Sequence, residues 1–365
     1  MDQFCADIHN NLSINLTNQG VELGPCCWYT EGIPLIDNNS WNNSKLIKIR
    51  QDNKNNILDK SGCKQCIYME KNGDQSRRTG VNEYYKSQAT DLSGPRGLEI
   101  SVDFTCNIAC VYCGPRVSTQ WRRELGIDNK TFPIRLSEPD IIKILDQIDL
   151  SNLDNIHFYG GDPFFTRTHE IILDYIDQRV GLKNLYIWYN TNGTLRVPER
   201  VFELWNKCRL VKVYFSIDDI GKRFEYIRYG AVWNQVEDNM MWYRSESPVN
   251  VMFALQPTLS CLNLYYHQEL HNWKTQNFDT NRLGDFNDIT RHNVFSKFEL
   301  GSIPDELLTK CLENNKNDPW VVEFSKSFKH NPIALAKTKL EIKRLDERRN
   351  LNFTEIFPEL APYFT

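Results

Sequence analysis

The chain has 365 residues, which is long enough for one large domain together with a smaller one. Hydrophobic residues make up 41% and charged residues 25%, as in an ordinary globular protein. The net charge of −4 excludes a general basic field for nucleic acid, and no run approaches the roughly 18 apolar residues of a membrane-spanning helix.

Cysteine is abundant, with eleven residues, an odd number. The first residues, 1–5, lack the charged and apolar segments of a signal peptide, so we expect none. In a reducing cytosol, clustered cysteines are metal ligands more often than disulfides. We therefore expect a cytoplasmic protein whose clustered cysteines bind metal.

The first 90 residues begin with a predicted hairpin, in which segments 11–16 and 21–23 flank a turn that contains Gly20. Ser40 is the predicted cap of a helix that runs to about residue 50. A weakly amphipathic helix is predicted over 74–86.

Five cysteines lie in this first segment: Cys5, Cys26, Cys27, Cys63 and Cys66. The C-x2-C pair at 63 and 66 brings two sulfurs onto one metal, and Cys5 with one of the adjacent pair would complete a four-thiolate site. Iron–sulfur and zinc centres both accept this set, and free buried thiols are the alternative. The spacing does not choose between Cys26 and Cys27.

From residue 97 onward, strands and helices alternate, which predicts right-handed crossovers and a parallel sheet. The predicted strands are 97–104, 155–159, 185–189, 210–217 and 250–256, with a sixth at 279–283. The predicted helices are 138–147, 169–178, 199–207, 233–243 and 264–273. If the sheet curls into a barrel, the active site lies at the C-terminal ends of its strands.

The three cysteines Cys106, Cys110 and Cys113 follow the first of these strands in a C-x3-C-x2-C spacing. Thiolates this close in sequence can hold one iron–sulfur cluster. A [4Fe–4S] cube has four irons, so three ligands would leave one iron open. A zinc knuckle or incidental thiols is the alternative interpretation.

Several later strands end in polar or glycine-rich motifs. Gly160 and Gly161, with Asp162 and Pro163, follow the second strand, where the glycines allow close approach of a ligand. Asn192 follows the third strand. Ser216 and Asp218 lie at the end of the fourth strand. Further along the chain, Arg228 could pair with a carboxylate, and an ordinary surface salt bridge is the alternative.

Together, these motifs resemble the radical S-adenosylmethionine (SAM) superfamily over roughly 97–285. The resemblance implies an α/β fold with a partial (β/α)6 TIM-like barrel. It implies a [4Fe–4S] cluster whose open iron is chelated by the amino and carboxylate groups of SAM. Reductive cleavage of SAM then gives a 5′-deoxyadenosyl radical, which abstracts hydrogen from a peptide, protein or small-molecule substrate. An electron donor such as a flavodoxin or ferredoxin is implied as a partner.

The same resemblance suggests site residues beyond the three cysteines. Tyr112 would lie against the adenine, and residues 160–163 resemble the Gly-Gly-Glu-Pro element that contacts the SAM amino group, with Asp162 in place of Glu. Asn192, Ser216 and Asp218 resemble positions that bind the ribose hydroxyls or the SAM carboxylate. Arg228 is a further candidate for binding the cofactor, because it could pair with a carboxylate.

The N-terminal cysteines resemble the twitch or SPASM type of module, in which a hairpin and a helix carry an auxiliary iron–sulfur cluster. That module usually follows the barrel, whereas here it precedes it. The predicted domains are therefore an auxiliary module (1–92), a partial barrel (93–290) and a helical C-terminal extension (291–365). In the extension, mixed charge near Arg349 predicts a solvated helix face. The remaining cysteines match no motif and are predicted to be buried thiols: Cys208, Cys261 and Cys311.

Two other function classes compete with the enzyme. A non-catalytic iron–sulfur or zinc-binding adaptor on a degenerate barrel would be consistent with Asp162 replacing Glu. A nucleic-acid modifying enzyme is disfavoured by the negative net charge. The sequence does not name the substrate.

Overall fold

A computed structural model describes most of the chain, namely residues 3–35, 40–71, 73, 75–85, 92–128, 133–278, 292–293, 297–318, 321–322 and 329–365. The predicted sixth strand at 279–283 lies outside these ranges. Within them, no helix combines the length and the apolar character that crossing a bilayer requires.

The strands form an eight-stranded sheet in the order β3-β2-β1-β4-β5-β6-β7-β8. Along the chain these are β1 (Asn11–Thr17), β2 (Gly20–Gly24), β3 (Ile33–Pro34), β4 (Gly97–Ser101), β5 (Asn155–Phe158), β6 (Tyr186–Thr191), β7 (Leu210–Phe215) and β8 (Val251–Leu255). A second, parallel pair consists of β9 (Thr258–Leu259) and β10 (His292–Asn293). Strands β4, β5 and β6 pair in parallel in succession, and helices separate β4 to β8 along the chain. The predicted α/β class is therefore confirmed.

Short and long helices connect and follow these strands. They are α1 (Ala6–Asn10), α2 (Ser44–Lys54), α3 (Lys64–Lys71), α4 (Arg77–Tyr84), α5 (Thr119–Glu124), α6 (Glu138–Leu145), α7 (Thr168–Arg179), α8 (Glu199–Lys207), α9 (Gly221–Ile227), α10 (Trp233–Glu246), α11 (His267–Phe278), α12 (Asp305–Asn314), α13 (Pro332–Arg349), α14 (Phe353–Ile356) and α15 (Ala361–Phe364). A 3-10 helix covers Leu300–Ser302.

The N-terminal hairpin is confirmed, because β1 and β2 pair antiparallel with Thr17 opposite Gly20. Gly20 has a φ of +111°, a conformation that glycine adopts without steric penalty. The structure adds a pairing that the sequence did not predict: β1 also runs parallel to β4, with Asn11 opposite Gly97. The hairpin is therefore continuous with the sheet.

The two faces of the sheet differ in chemistry, since successive side chains along a strand point to opposite faces. One face carries a row of fully buried aliphatic residues in register across four strands: Leu12, Leu98, Ile156 and Ile187. Each such side chain contributes about 1.5–3 kcal/mol when buried. The other face carries the polar and aromatic row Ser13, Glu99, His157 and Trp188.

Helix α2 begins later than predicted. Its N-cap is Asn43, whose side-chain oxygen accepts a hydrogen bond from the Lys45 amide at 3.0 Å. Ser40 is buried instead, and its hydroxyl donates to Gln147 Oε1 at 3.1 Å. Asparagine caps a helix as well as serine does, so the sequence alone could not choose between them.

Strand β4 ends three residues before the predicted end, at Ser101. The chain leaves the sheet there because its next amides and carbonyls pair elsewhere. The Leu136 amide donates to the Val102 carbonyl at 3.0 Å, and the Phe104 amide donates to the Ile134 carbonyl at 2.7 Å. This short pairing directs residues 103–105 toward the cysteine loop that follows.

The chain divides into two compact units. Unit 1 consists of 1–105, 126–189 and 197–212, and unit 2 consists of 106–125, 190–196 and 213–365. These units differ from the three sequence segments proposed above, which remain a prediction about domain organisation.

The core of unit 2 joins the cysteine loop to the C-terminal helices. Ala109 and Val111 of the loop belong to the same buried cluster as Phe353, Phe357 and Leu360. The basic residues of α13 are mostly exposed, as predicted, but Arg349 is buried. It lies on the stripe of α13 that faces the core, so the prediction of a solvated position was wrong for this residue.

Candidate functional site

The cysteine loop of unit 2 is fixed by backbone hydrogen bonds on two sides. The Ala109 amide donates to the Tyr229 carbonyl at 2.8 Å, and the Val111 amide donates to the Ile227 carbonyl at 2.9 Å. On the other side, Trp121 of α5 donates its indole N–H to the Cys110 carbonyl at 2.8 Å. These contacts set the loop backbone, and with it the directions of the three thiols.

Cys106 and Cys110 are buried, and Cys113 is half-buried. The Cys113 thiol donates a hydrogen bond to the Cys110 sulfur. That bond, with the nearby Arg228 guanidinium, lowers the pKa of Cys110, while the same bond and burial raise the pKa of Cys113. The loop therefore stabilises negative charge on Cys110.

A buried ion pair lies beside this loop. Arg228 donates from Nε to Asp218 Oδ2 at 2.6 Å and from Nη2 to Asp218 Oδ1 at 3.0 Å, which is a bidentate arrangement. Its remaining nitrogen, Nη1, donates to the Cys110 Sγ at 3.6 Å. Asp218 Oδ1 also accepts from the Thr258 amide at 2.7 Å. Arg228 thus connects the carboxylate to a cysteine of the loop.

Asn192, at the end of β6, approaches a second thiol. Its side-chain nitrogen lies 3.8 Å from the Cys106 Sγ and 3.1 Å from Asn107 Oδ1. Its side-chain oxygen accepts from the Thr194 amide at 2.9 Å. Two of the three thiols therefore have a nitrogen donor from elsewhere in unit 2.

Tyr112 belongs to the cysteine loop, and Ser216 directly follows β7. Both residues are half-buried. The Tyr112 hydroxyl is 3.1 Å from Ser260 Oγ, and its ring meets Phe298 edge to face. The Ser216 amide donates to the Thr191 carbonyl at 2.8 Å. Tyr112 is held at both its hydroxyl and its ring, while its other surface is partly exposed.

The glycine motif of unit 1 is bonded to the segment that leads into the loop. The Gly161 amide donates to the Asp103 carbonyl and the Asp162 amide to the Thr105 carbonyl, both at 2.9 Å. A Cβ on Gly161 would lie 2.3 Å from the Thr105 oxygen, and Gly160 has a φ of +133°. Only glycines allow this approach.

The Asp162 side chain is buried and accepts from the Phe164 amide at 3.0 Å. Its carboxylate therefore supports the local turn that precedes α7. Asparagine and aspartate make this kind of bond two residues along the chain in many turns.

The N-terminal cysteines lie around a cavity in unit 1. Four of the five line it: Cys5, Cys26, Cys63 and Cys66. They come from three separate places, namely the residue before α1, the turn after β2 and the start of α3. The structure thus brings together cysteines that are far apart in sequence.

Cys27 has different surroundings from its neighbour Cys26. Its amide donates to Glu99 Oε2 at 2.6 Å, and its sulfur accepts from Arg77 Nη1 at 3.4 Å. Arg77 also pairs with Glu99 Oε1 at 2.7 Å and with Asp7 Oδ2 at 2.6 Å. Cys27 therefore belongs to a buried charge network that sequence analysis missed.

Among the described residues, no group of three or more His, Cys, Asp or Glu side chains is arranged to hold a single metal ion. Each thiolate of an iron–sulfur cube binds a different iron, so its ligand sulfurs need not converge on one point. Buried thiols with nitrogen donors directed at their sulfurs are suited to such a cluster. The residues of the loop fit the group that the sequence suggested.

Residues 100–259 match the sequence profile of the radical SAM superfamily. This segment is a radical SAM domain. The family is one of enzymes that use a [4Fe–4S] cluster and SAM, and auxiliary clusters occur in relatives of the SPASM type. The matched range contains the cysteine loop, the glycine motif and the Arg228–Asp218 pair.

Curated relatives align only with part of the chain. A GTP 3′,8-cyclase of Syntrophomonas wolfei is 28% identical over 131 residues, which is 36% of this chain and 36% of that protein. A GTP 3′,8-cyclase of Clostridium botulinum is 26% identical over 140 residues, 38% of this chain and 40% of that protein. The chain thus spans about two fifths or less of the relatives that it matches.

Similar solved structures include native anSMEcpe with bound AdoMet, at 17% identity and a TM-score of 0.42 over 65% of this chain and 63% of that one. Streptococcus suis SuiB bound to S-adenosylmethionine has 13% identity and a TM-score of 0.38, covering 89% of this chain and 70% of that one.

Cys208, Cys261 and Cys311 are all buried, as predicted. Sequence analysis gave Arg349 no role beside the cysteine loop, yet it donates to the Ala109 carbonyl at 2.9 Å and pairs with Glu124 at 3.1 Å. Its position was readable from the helical period, because Ala334, Thr338, Leu345 and Arg349 recur on one face of α13.

Proposed function

We propose that the chain is a radical SAM enzyme that holds a [4Fe–4S] cluster on Cys106, Cys110 and Cys113. The observation that carries the proposal is the loop itself, with three thiols in the C-x3-C-x2-C spacing and nitrogen donors from Arg228 and Asn192 beside two of them. Hydrogen bonds to ligand sulfurs are a main means by which proteins adjust such clusters.

When bound, the reduced cluster supplies the electron that cleaves SAM to methionine and a 5′-deoxyadenosyl radical, which abstracts hydrogen from the substrate. The protein binds and orients the reactants. We propose that Tyr112 packs against the adenine and that the turn at 160–163 receives the SAM amino group. Asn192, Ser216 and Asp218 would face the ribose, and Arg228 would be within reach of the SAM carboxylate.

The test is anaerobic reconstitution followed by incubation with SAM and dithionite. The wild-type chain should bind iron and sulfide and form 5′-deoxyadenosine. The variant Cys106→Ala/Cys110→Ala/Cys113→Ala should form none, whereas a control with Cys208→Ala, a buried thiol outside both sites, should behave as wild type. A wild-type protein that carries the cluster, binds SAM and never cleaves it would contradict the proposal.

A non-catalytic adaptor is the competing proposal, and Asp162 is the residue that favours it. Its carboxylate bonds to the Phe164 amide within its own turn. An adaptor would bind SAM without turnover in wild type and in Asp162→Glu alike. SAM cleavage by the wild type rules it out.

We propose a second, auxiliary iron–sulfur cluster on Cys5, Cys26, Cys63 and Cys66. The four thiols line one cavity, and Arg78, which also lines it, is held by Glu70. Counting iron in Cys63→Ala/Cys66→Ala tests this assignment, since that variant should lose one cluster's iron and retain the other. Unchanged iron content would contradict it.

The substrate is proposed to be a peptide, a protein or a small molecule, with a flavodoxin or ferredoxin as electron donor and the cytoplasm as location. Two relatives are named GTP 3′,8-cyclases, so GTP is one small molecule to test. Substrate-dependent 5′-deoxyadenosine formation, compared between GTP and a peptide library, separates these classes.

A further inference from the structure

The Arg228–Asp218 pair has a property that binding of SAM does not require. The guanidinium uses two of its nitrogens on the carboxylate and presents the third to the Cys110 sulfur at 3.6 Å. We propose that this pair sets the reduction potential of the cluster held by the loop, with Arg228 acting through the Cys110 sulfur. The inference rests on the proposed function, because it presupposes that cluster.

The pair is held firmly in place, as a tuning device must be. Both side chains are buried, with 10% of Arg228 and 0% of Asp218 exposed. The Arg228 amide donates to the Phe224 carbonyl at 2.7 Å, which closes α9. The Asp218 carbonyl accepts from Asn263 Nδ2 at 2.9 Å, and its carboxylate accepts from the Thr258 amide.

The charges of Arg228 and Asp218 determine whether each residue raises or lowers the reduction potential of the cluster. Reduction adds one electron to the cluster, with no bond formed or broken at Arg228, and the reductant is the electron donor of the proposed reaction. A cation beside a ligand sulfur stabilises the added charge and raises the potential, and a carboxylate lowers it. Both effects are larger in a buried site than in water.

Arg228 remains charged under these conditions. Burial lowers its pKa, but the Asp218 carboxylate and the Cys110 and Cys113 sulfurs together outweigh burial, so the net shift is upward. An arginine guanidinium is protonated throughout the working pH range in any case. The pair therefore presents a cation in contact with the Cys110 sulfur, and a carboxylate bonded to that cation.

The neighbouring residues supply a matched control. Arg223 forms a similar pair with Asp219, both contacts from Nε being 3.0 Å, and Asp219 is also buried. Arg223 also donates from Nη2 to Glu269 Oε2 at 2.6 Å, where Arg228 instead contacts a cysteine of the loop. Arg223 thus reproduces an Arg–Asp pair with a buried carboxylate but without the sulfur contact, although the Arg223 side chain is 19% exposed.

The experiment is a potentiometric titration of the reconstituted full-length protein without SAM, followed by electron paramagnetic resonance. The loop cluster is identified as the signal that is absent from Cys106→Ala/Cys110→Ala/Cys113→Ala. We expect Arg228→Gln to lower its midpoint and Asp218→Asn to raise it. Each change should alter the reduction equilibrium by about tenfold, which is about 59 mV for one electron.

The combination of both substitutions should return the midpoint toward that of wild type, and Arg228→Lys should stay closer to wild type than Arg228→Gln. Arg223→Gln and Asp219→Asn should leave it unchanged. If Arg228→Gln does not retain a cluster, the upward shift in Asp218→Asn still tests the sign.

Midpoints that do not move, or that move in the same direction in Arg228→Gln and Asp218→Asn, would overturn the inference. So would unchanged midpoints accompanied by weakened SAM binding, which would make the pair only a SAM-binding element. These results differ from failure of the proposed function, which is a wild-type cluster that never cleaves SAM.

Discussion

The two groups of cysteines are assembled in different ways. In unit 2, Cys106, Cys110 and Cys113 lie on one short loop, with a cation and an amide directed at their sulfurs. In unit 1, four thiols come from three distant segments and lie near the carboxylate of Asp7. Burial, with a smaller contribution from Asp7, raises the pKa of Cys26, whereas the pKa of Cys110 is lowered.

The two ways of assembling the cysteines indicate what a metal centre would contribute at each site. The loop geometry is already fixed by backbone hydrogen bonds, so a metal centre there mainly adds chemistry. The N-terminal thiols are brought together by folding, so a metal bound to them also stabilises the fold, by the coupling of binding to folding. We therefore expect loss of the two sites to have separable effects.

The largest expected effect concerns catalysis. Replacing the three loop cysteines by alanine should lower the rate of 5′-deoxyadenosine formation at least about 100-fold, or about 2.7 kcal/mol. Cys63→Ala/Cys66→Ala should keep more than about a tenth of the rate, because these two cysteines do not belong to the loop that is proposed to hold the SAM-cleaving cluster. Chromatographic assay of 5′-deoxyadenosine measures the rate of both variants. Equal losses of rate in the two variants would contradict the distinction between the two cysteine sites.

The second prediction sharpens the assignment within the N-terminal site. In the background without loop cysteines, Cys26→Ala should lose the remaining iron, because Cys26 lines the cavity. Cys27→Ala should keep it, because Cys27 does not line the cavity and its sulfur accepts a hydrogen bond from Arg77. Iron and sulfide analysis checks the pair, and the reverse pattern would make Cys27 the ligand.

The third prediction concerns support of the loop from α13. Arg349→Leu should lower the free energy of unfolding by about 1.5–3 kcal/mol, because it removes the nearer arginine partner of the Glu124 carboxylate and the donor to the Ala109 carbonyl. The adjacent Arg348 is 38% exposed and lies 3.9 Å from the same carboxylate, so Arg348→Leu should cost at most about 1 kcal/mol. Denaturant titration measures both, and similar values would refute a special role for Arg349.

The smallest expected effects are at glycines in unit 1. Gly161→Ala should destabilise the protein by about 1–3 kcal/mol, because its Cβ would overlap the Thr105 oxygen. Gly80 lies within α4 with no atom within 4 Å of a Cβ, so Gly80→Ala should stabilise by about 0.5–1 kcal/mol. Thermal unfolding of the two variants should shift in opposite directions.

Local patterns predicted much of this molecule. The alternation of strands β4 to β8 with helices followed from hydrophobic periodicity, and the five predicted strands lie within three residues of their observed ends. The hairpin turn at Gly20 and the cysteine loop were equally local, since each is encoded within fewer than ten residues.

Contacts between residues far apart in the sequence were not predictable in the same way. Pairing of β1 with β4 depends on which sheet edge is available, and the position of Cys27 involves its hydrogen bonds with Arg77 and Glu99. The Arg228–Asp218 contact with Cys110 likewise joins residues brought together only by folding. A single sequence shows which residue types are present, but it does not show which distant residues will contact one another.

The bond from Arg349 to the Ala109 carbonyl also has a consequence in time, because it spans 240 residues. At about 5–20 residues per second, a ribosome needs roughly 12 to 48 s to synthesise that interval. During that period the loop exists without the guanidinium that stacks over Trp121 and Tyr229. The loop therefore reaches its final form only after Arg349 has been synthesised, and a cluster can enter the finished geometry only after that point.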